Sequence, residues 1–547
     1  MAQKLRRRLV LAAGMCLVLL AGCGAHDTDA GRVLRVAQYP DPDELNSQQN
    51  SGSQVYMGLC EPLTGLGIAD AGDIRMRGAE RVDTTDGQVW TIKLRPGRTF
   101  HNGEPITART YADTWNAVAY GPNAYKASST FSVIDGYAEL NEDPPTATTL
   151  RGLEVVDDLT LRVTLHQPDY DFPKIIASYS ACPIPAEGLA DPTAYSQAPI
   201  GNGPYQFVRW DRNERIVIKR WHDYQGEVPP GAAEEIHFKI YQSQDTAYRD
   251  VQAGQLDVLR NLPGGLLDVL RNLPGGLLDD ARNQLGDEGL FAIPQQRQIT
   301  QMLIPEYIES LRDPRLRKAI SLSIDRDAMA GALLRGSATP ARSLIVEATG
   351  PAYRANACAD CRYDPDRARQ LVAEAGGFTE PVVIWYSNTG GGGGTEMSQI
   401  ALAIANALRQ ELGAEVKLRP VLPAQLTQAQ NSGTLTGPAL SLWGDIYPSP
   451  DQYLGMFREG GDGNEYTQYD NPEATALIAK ALGSGDELEA ARYWQRAEDL
   501  ILDDMPGIPL YYPAIYAAHT TCATPGTLGG DLQYYLTAFE CGPGREE

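Results

Sequence analysis

From Val89 to Leu94 the side chains alternate, Trp90, Ile92 and Leu94 apolar against polar Thr91, Lys93 and Arg95, which predicts a half-buried strand. Pro96-Gly97 and Asn102-Gly103 then supply turns, and Thr107 can cap a helix whose apolar face carries Ala108, Tyr111, Trp115 and Val118. Further on, Val382-Val383-Ile384-Trp385 is an unbroken apolar run of the kind a buried strand needs. Ile400, Ala403, Ile404, Ala407 and Leu408 fall on one helix face before Gly413, and Val416 and Leu418 open another strand. Strand, helix and strand in that order predict an α/β domain with a partly parallel sheet. Asp364-Pro365 begins one more helix, with proline at its first position and Gly376 at its end.

The N-terminus follows a different rule. Lys4, Arg6, Arg7 and Arg8 precede a short apolar stretch from Leu9 to Leu20, which falls short of the ~20 residues a membrane span requires. Residues 1–22 therefore predict an export signal that is removed. The run Leu20-Ala21-Gly22-Cys23 resembles the bacterial lipobox, which implies a diacylglyceryl group on Cys23 and an anchor of ~0.8 kcal/mol per buried CH₂. Small and polar residues from 24 to 32 suit a flexible tether, so folding is expected to begin near Val33.

Loss of the signal takes the formal net charge from -23 to about -27. So acidic a chain repels phosphate backbones and anionic headgroups, which argues against nucleic acid as a partner and leaves the lipid as the only membrane attachment. With 43% hydrophobic and 21% charged residues, the body can bury a large core over two or three domains. A monomer is expected.

Six cysteines remain beyond Cys16 and Cys23, an even number that suits an oxidising compartment. Cys358 and Cys361 have metal-ligand spacing, but no second close pair completes a zinc site, so a local disulfide is the better reading. Proximity then suggests Cys522 with Cys541, leaving Cys60 with Cys182, although spacing alone does not fix the connectivity. Gly390 to Gly394 after Asn388-Thr389 lacks the Lys-Ser or Lys-Thr of a phosphate loop and reads as a mobile loop at the mouth of a cleft. Residues 257–267 recur without change as 268–278, a duplication in which one copy is expected to fill the native element and the other to be extruded.

The segment Trp90-Thr-Ile-Lys-Leu-Arg-Pro-Gly-Arg-Thr-Phe100-His-Asn-Gly-Glu-Pro-Ile-Thr107 resembles a hallmark of the family 5 solute-binding proteins, the peptide-binding receptors of ABC importers. Gly201-Asn-Gly-Pro-Tyr205, Gly254-Gln-Leu-Asp257, Leu311 to Arg326, Tyr363 to Arg369 and Asp504 to Tyr511 follow in matching order over nearly the whole mature chain. The resemblance implies an α/β periplasmic-binding-protein-like fold (class II, the large three-subdomain type) of two lobes joined by a hinge. Lobe I would be discontinuous, from 33–58, 188–292 and 506–547, with a subdomain inserted over 59–187; lobe II would span 293–505, and the proline-rich Met505–Pro509 stretch would make a crossing.

That family implies an extended peptide between the lobes, a permease as partner and no catalysis. An aspartate in a Trp-x-x-Asp-Tyr motif typically holds the peptide's ammonium. Here Trp443-Gly-Asp445-Ile446-Tyr447 sets the aspartate one position early, which in a strand would turn it to the opposite face. Trp443, Asp445, Tyr447 and Asn388 are the candidate ligand residues, while His101 reads as part of a turn. Oligosaccharides, a metal chelate or a sensing role without transport remain alternatives on this reused scaffold. An exported hydrolase is disfavoured, because six histidines form no His-Glu-x-x-His and no Gly-x-Ser-x-Gly is present. No cofactor, metal site or catalytic residue is expected.

Overall fold

A computed structural model of the chain describes residues 33–49, 54–66, 74–228, 231–260, 290–293, 297–334, 338–388, 394–444, 446–461, 463–513, 515–520, 523–528 and 531–539. Residues 1–32 with Cys23, Gly390 to Gly393, Asp445, Cys522, Cys541 and the duplication beyond Arg260 lie outside the described residues.

Three apolar cores organise these residues. One packs Leu34, Val36, Ile216, Ile218 and Phe238 against a seven-stranded sheet. Its strands run, edge to edge, Leu290–Ile293, Ile515–His519, Val258–Arg260, Val33–Gln38, Glu235–Ile240, Arg215–Arg220 and Tyr205–Asp211. Val33–Gln38 is parallel to both its neighbours.

The second core belongs to the inserted unit. Ala79–Thr84, Val89–Leu94, Thr160–Thr164 and Leu153–Asp157 form an antiparallel sheet, with Trp90, Ile92 and Leu94 facing inward as their alternation predicts. The helix Ala108–Ala119 packs Tyr111, Trp115 and Val118 into the same core. Thr107 opens it through a capping box, its hydroxyl accepting from the Thr110 amide and the Thr110 hydroxyl accepting from the Thr107 amide. Cys60 and Cys182 are joined by a disulfide at this unit's two borders, and Cys358 is joined to Cys361 in the other lobe.

The third core lies against a six-stranded sheet ordered Ala338–Pro340, Gly507–Pro513, Gln298–Leu303, Ala439–Gly444, Val382–Ser387 and Val416–Val421. Val382–Ser387 and Val416–Val421 are parallel and joined by the helix Gly394–Leu412, the β-α-β unit that the apolar pattern predicts.

The return crossing differs from expectation. Residues 507–513 belong to the second lobe's sheet, and the chain passes to the first between Pro513 and Ile515 rather than at Met505–Pro509. The prolines mislead because a ladder normally rejects them. Pro509, however, lies opposite Gln301 at a register shift, and Gly507 to Tyr512 are all buried.

Strand direction fixes how the lobes meet. Leu290–Ile293 and Val258–Arg260 are each antiparallel to Ile515–His519, so Ile293 ends on the edge where the parallel strands of the first sheet also end. Gln298 then starts opposite Gly444, on the edge where Ala439–Gly444 and the parallel Val382–Ser387 end. The carboxyl edges of both sheets therefore face the crossings.

Candidate functional site

In open α/β sheets, ligands collect outside the carboxyl ends of the strands. Asn388 directly follows Val382–Ser387 there, exposed, with its amide bonded to the Val421 carbonyl at 3.0 Å. Trp443 and Gly444 end the neighbouring strand at the same edge, so the structure gathers Asn388, Trp443 and the residues after it along one rim.

The run after Trp443 folds back on itself. The Trp443 indole Nε1 donates to the Gln452 carbonyl at 2.5 Å, and the Ile446 amide donates to the Gln452 side-chain oxygen at 3.1 Å. Tyr466 stands edge-on to the indole at 6.0 Å between centroids. Gly463 packs so closely over that ring that a Cβ there would lie 3.1 Å from it, at a φ of +81°. Trp443 is half-buried and Ile446 is 53% exposed, an apolar side chain left toward solvent beside a held indole. The described strand ends at Gly444, and Asp445, on which the opposite-face expectation falls, lies outside the described residues.

Tyr447 is half-buried near the Arg458 guanidinium. Beyond it Pro448, Ser449 and Pro450 are buried, and the Ser449 hydroxyl donates to the Asp171 carboxylate of the inserted unit. Asp171 also binds Lys174 at 2.7 Å, while Asp451 binds Arg458 at 3.3 Å. Asp169, only 4% exposed, accepts from the Asp171 amide at 2.8 Å. Burial, reinforced by Asp171 and Asp451, pushes the Asp169 carboxyl well above the ordinary aspartate range. Sequence reasoning missed this cross-lobe group, since Pro168-Asp-Tyr-Asp171 carries no mark that separates buried acids from solvated ones.

His101 is structural, as its turn implies. Its Nδ1 accepts from the Gly201 amide at 3.2 Å, Nε2 therefore donates to the Gly203 carbonyl at 3.0 Å, and Trp221 packs edge-on at 4.8 Å. Burial pushes this imidazole down to about 4. Among the described residues no group of three or more His, Cys, Asp and Glu side chains is placed to hold a metal ion, and no helix is long and apolar enough to cross a membrane.

Residues 74–465 match the sequence profile of the bacterial extracellular solute-binding proteins, family 5, middle region. The chain is 24% identical over 543 residues to the periplasmic oligopeptide-binding protein OppA of Salmonella typhimurium, covering 92% of this chain and 93% of that one. Its fold is that of OppA from Burkholderia pseudomallei, with a TM-score of 0.76 at 21% identity over 93% and 99% of the two chains. Haemophilus influenzae OppA, solved in complex with RPPGFSPFR, superposes with a TM-score of 0.74 at 20% identity over 94% and 100%.

Proposed function

Because the chain belongs to the bacterial extracellular solute-binding proteins of family 5, we propose that it is a lipid-anchored receptor that captures peptides between its lobes and delivers them to an ABC importer's permease. The observation that supports this reading is the carboxyl edge of the second sheet, where Asn388 follows one strand and Trp443 ends its parallel neighbour, with Tyr447 in the run that follows. Relatives named as oligopeptide-binding and dipeptide-binding proteins support a peptide as the occupant. An extended peptide offers main-chain donors and acceptors to such a rim, and its ammonium suits an acidic receptor in which Asp445 follows the strand end. Closure is then a hinge motion at the two crossings, favoured by a ligand that touches both lobes.

Native mass spectrometry of the purified protein identifies the bound molecule, and calorimetry with that peptide measures its affinity. Asp445→Ala is expected to weaken binding about tenfold or more if the carboxylate holds the ammonium. An unchanged affinity eliminates Asp445 from the site, and a copurifying sugar or metal chelate overturns the peptide reading. Delivery is tested by deleting the gene, which should abolish uptake of the same peptide.

A further inference from the structure

We propose that Asp171, a residue of the inserted unit, is a positioning residue for the ligand segment of the other lobe, acting through Ser449. The inference rests on the reading of Trp443 to Tyr447 as that segment.

Ser449 lies between two prolines, neither of which offers a backbone N–H, so its hydroxyl is a principal polar handle on this stretch of the loop. That hydroxyl is fully buried, donates to the Asp171 carboxylate and accepts from the Asp451 amide at 3.1 Å. Two positions before it stands Tyr447, and three positions after it Gln452, whose two oxygens receive the Trp443 indole and the Ile446 amide. Because Ser449 also holds the Asp451 amide beside Gln452, a shift of Ser449 moves the residue that anchors Trp443 and Ile446.

Asp171 is itself fixed. Its second oxygen binds Lys174, and the adjacent Tyr170 amide donates to the Leu482 carbonyl at 2.8 Å, so side chain and backbone both bridge from the inserted unit to the second lobe. The groups around it are Asp169, Lys174, Asp451 and Arg458, with Tyr447 facing Arg458 and Glu487 facing Lys174. Three buried or half-buried aspartates meet two cations, an arrangement that holds together only when each polar atom keeps its partner. Truncating Asp171 leaves the Ser449 hydroxyl and the Lys174 ammonium without it in a place water reaches poorly.

The test uses the full chain and a tryptic digest of casein as the peptide source, with retained peptides identified and quantified by mass spectrometry. Asp171→Ala and Ser449→Ala should each lower retention by roughly tenfold, and the double variant should lose no more than either single one, because they remove the same interaction. Asp171→Asn, which keeps an oxygen for the Ser449 hydroxyl, should recover most of the loss. Amide exchange over 444–452 should accelerate in both alanine variants while protection of the strand Val89–Leu94 is unchanged, which separates positioning from general unfolding. If both alanine variants retain peptide as the wild type does while Trp443→Ala does not, the positioning role is wrong and the ligand segment stands. If Trp443→Ala also retains peptide, or the wild type retains none, the underlying reading of the segment fails, and the inference with it.

Discussion

At the scale of single residues, His101 shows what holds a histidine in a turn. The ring needs its neutral form to accept at one nitrogen and donate at the other, and burial lowers its affinity for a proton. Its folded value of about 4 lies below the ordinary 6.5, so its contribution is fully present above about 6.5 and is lost as pH falls through 4. The change is on the order of 3 kcal/mol. His101→Ala should therefore melt lower than the wild type at pH 7, and the gap should narrow toward pH 4, as followed by thermal unfolding. Asp169 runs the other way. Its raised carboxyl adds stability fully below about pH 4, and that stability is lost as pH climbs through the raised value. Asp169→Asn keeps an oxygen for the Asp171 amide, and it should melt higher than the wild type at pH 8 with a flatter pH dependence.

At the scale of elements, most of the secondary structure was legible because periodicity follows burial. The alternation of Val89–Leu94, the cap at Thr107 and the β-α-β unit across 382–421 are set by local pattern and appear as such. Residues of the motifs that carried the family resemblance stitch distant segments together. Asp257 forms two bonds at 2.9 Å with the Arg35 guanidinium, and the Asn202 amide pairs with both backbone groups of Glu61 at 3.0 Å. Arg326, wholly buried, donates to the carbonyls of Pro509, Ser321 and Cys361. What sequence could not show is which polar groups meet across lobes, since Asp171 and Ser449 lie 278 positions apart. The disulfide between Cys60 and Cys182 closes a loop of similar kind, with a separation of 122 residues. Its removal by Cys60→Ala with Cys182→Ala should cost about 2–4 kcal/mol in chemical denaturation, at the border of the inserted unit.

At the scale of the whole molecule, the crossing after Pro513 has a consequence for how each sheet is completed. Gly507–Pro513 is an inner strand of one sheet and Ile515–His519 an inner strand of the other, lying between Leu290–Ile293 and Val258–Arg260. A chain truncated after Met505 thus lacks an interior strand in both lobes and should show no cooperative unfolding transition, a result that circular dichroism on heating would check. Each sheet therefore lacks one of its inner strands until the stretch 507–519 is in place. Neither half can complete its sheet from its own stretch of sequence, so the two lobes are tied to one another through a single continuous segment, 507–519, that each of them needs.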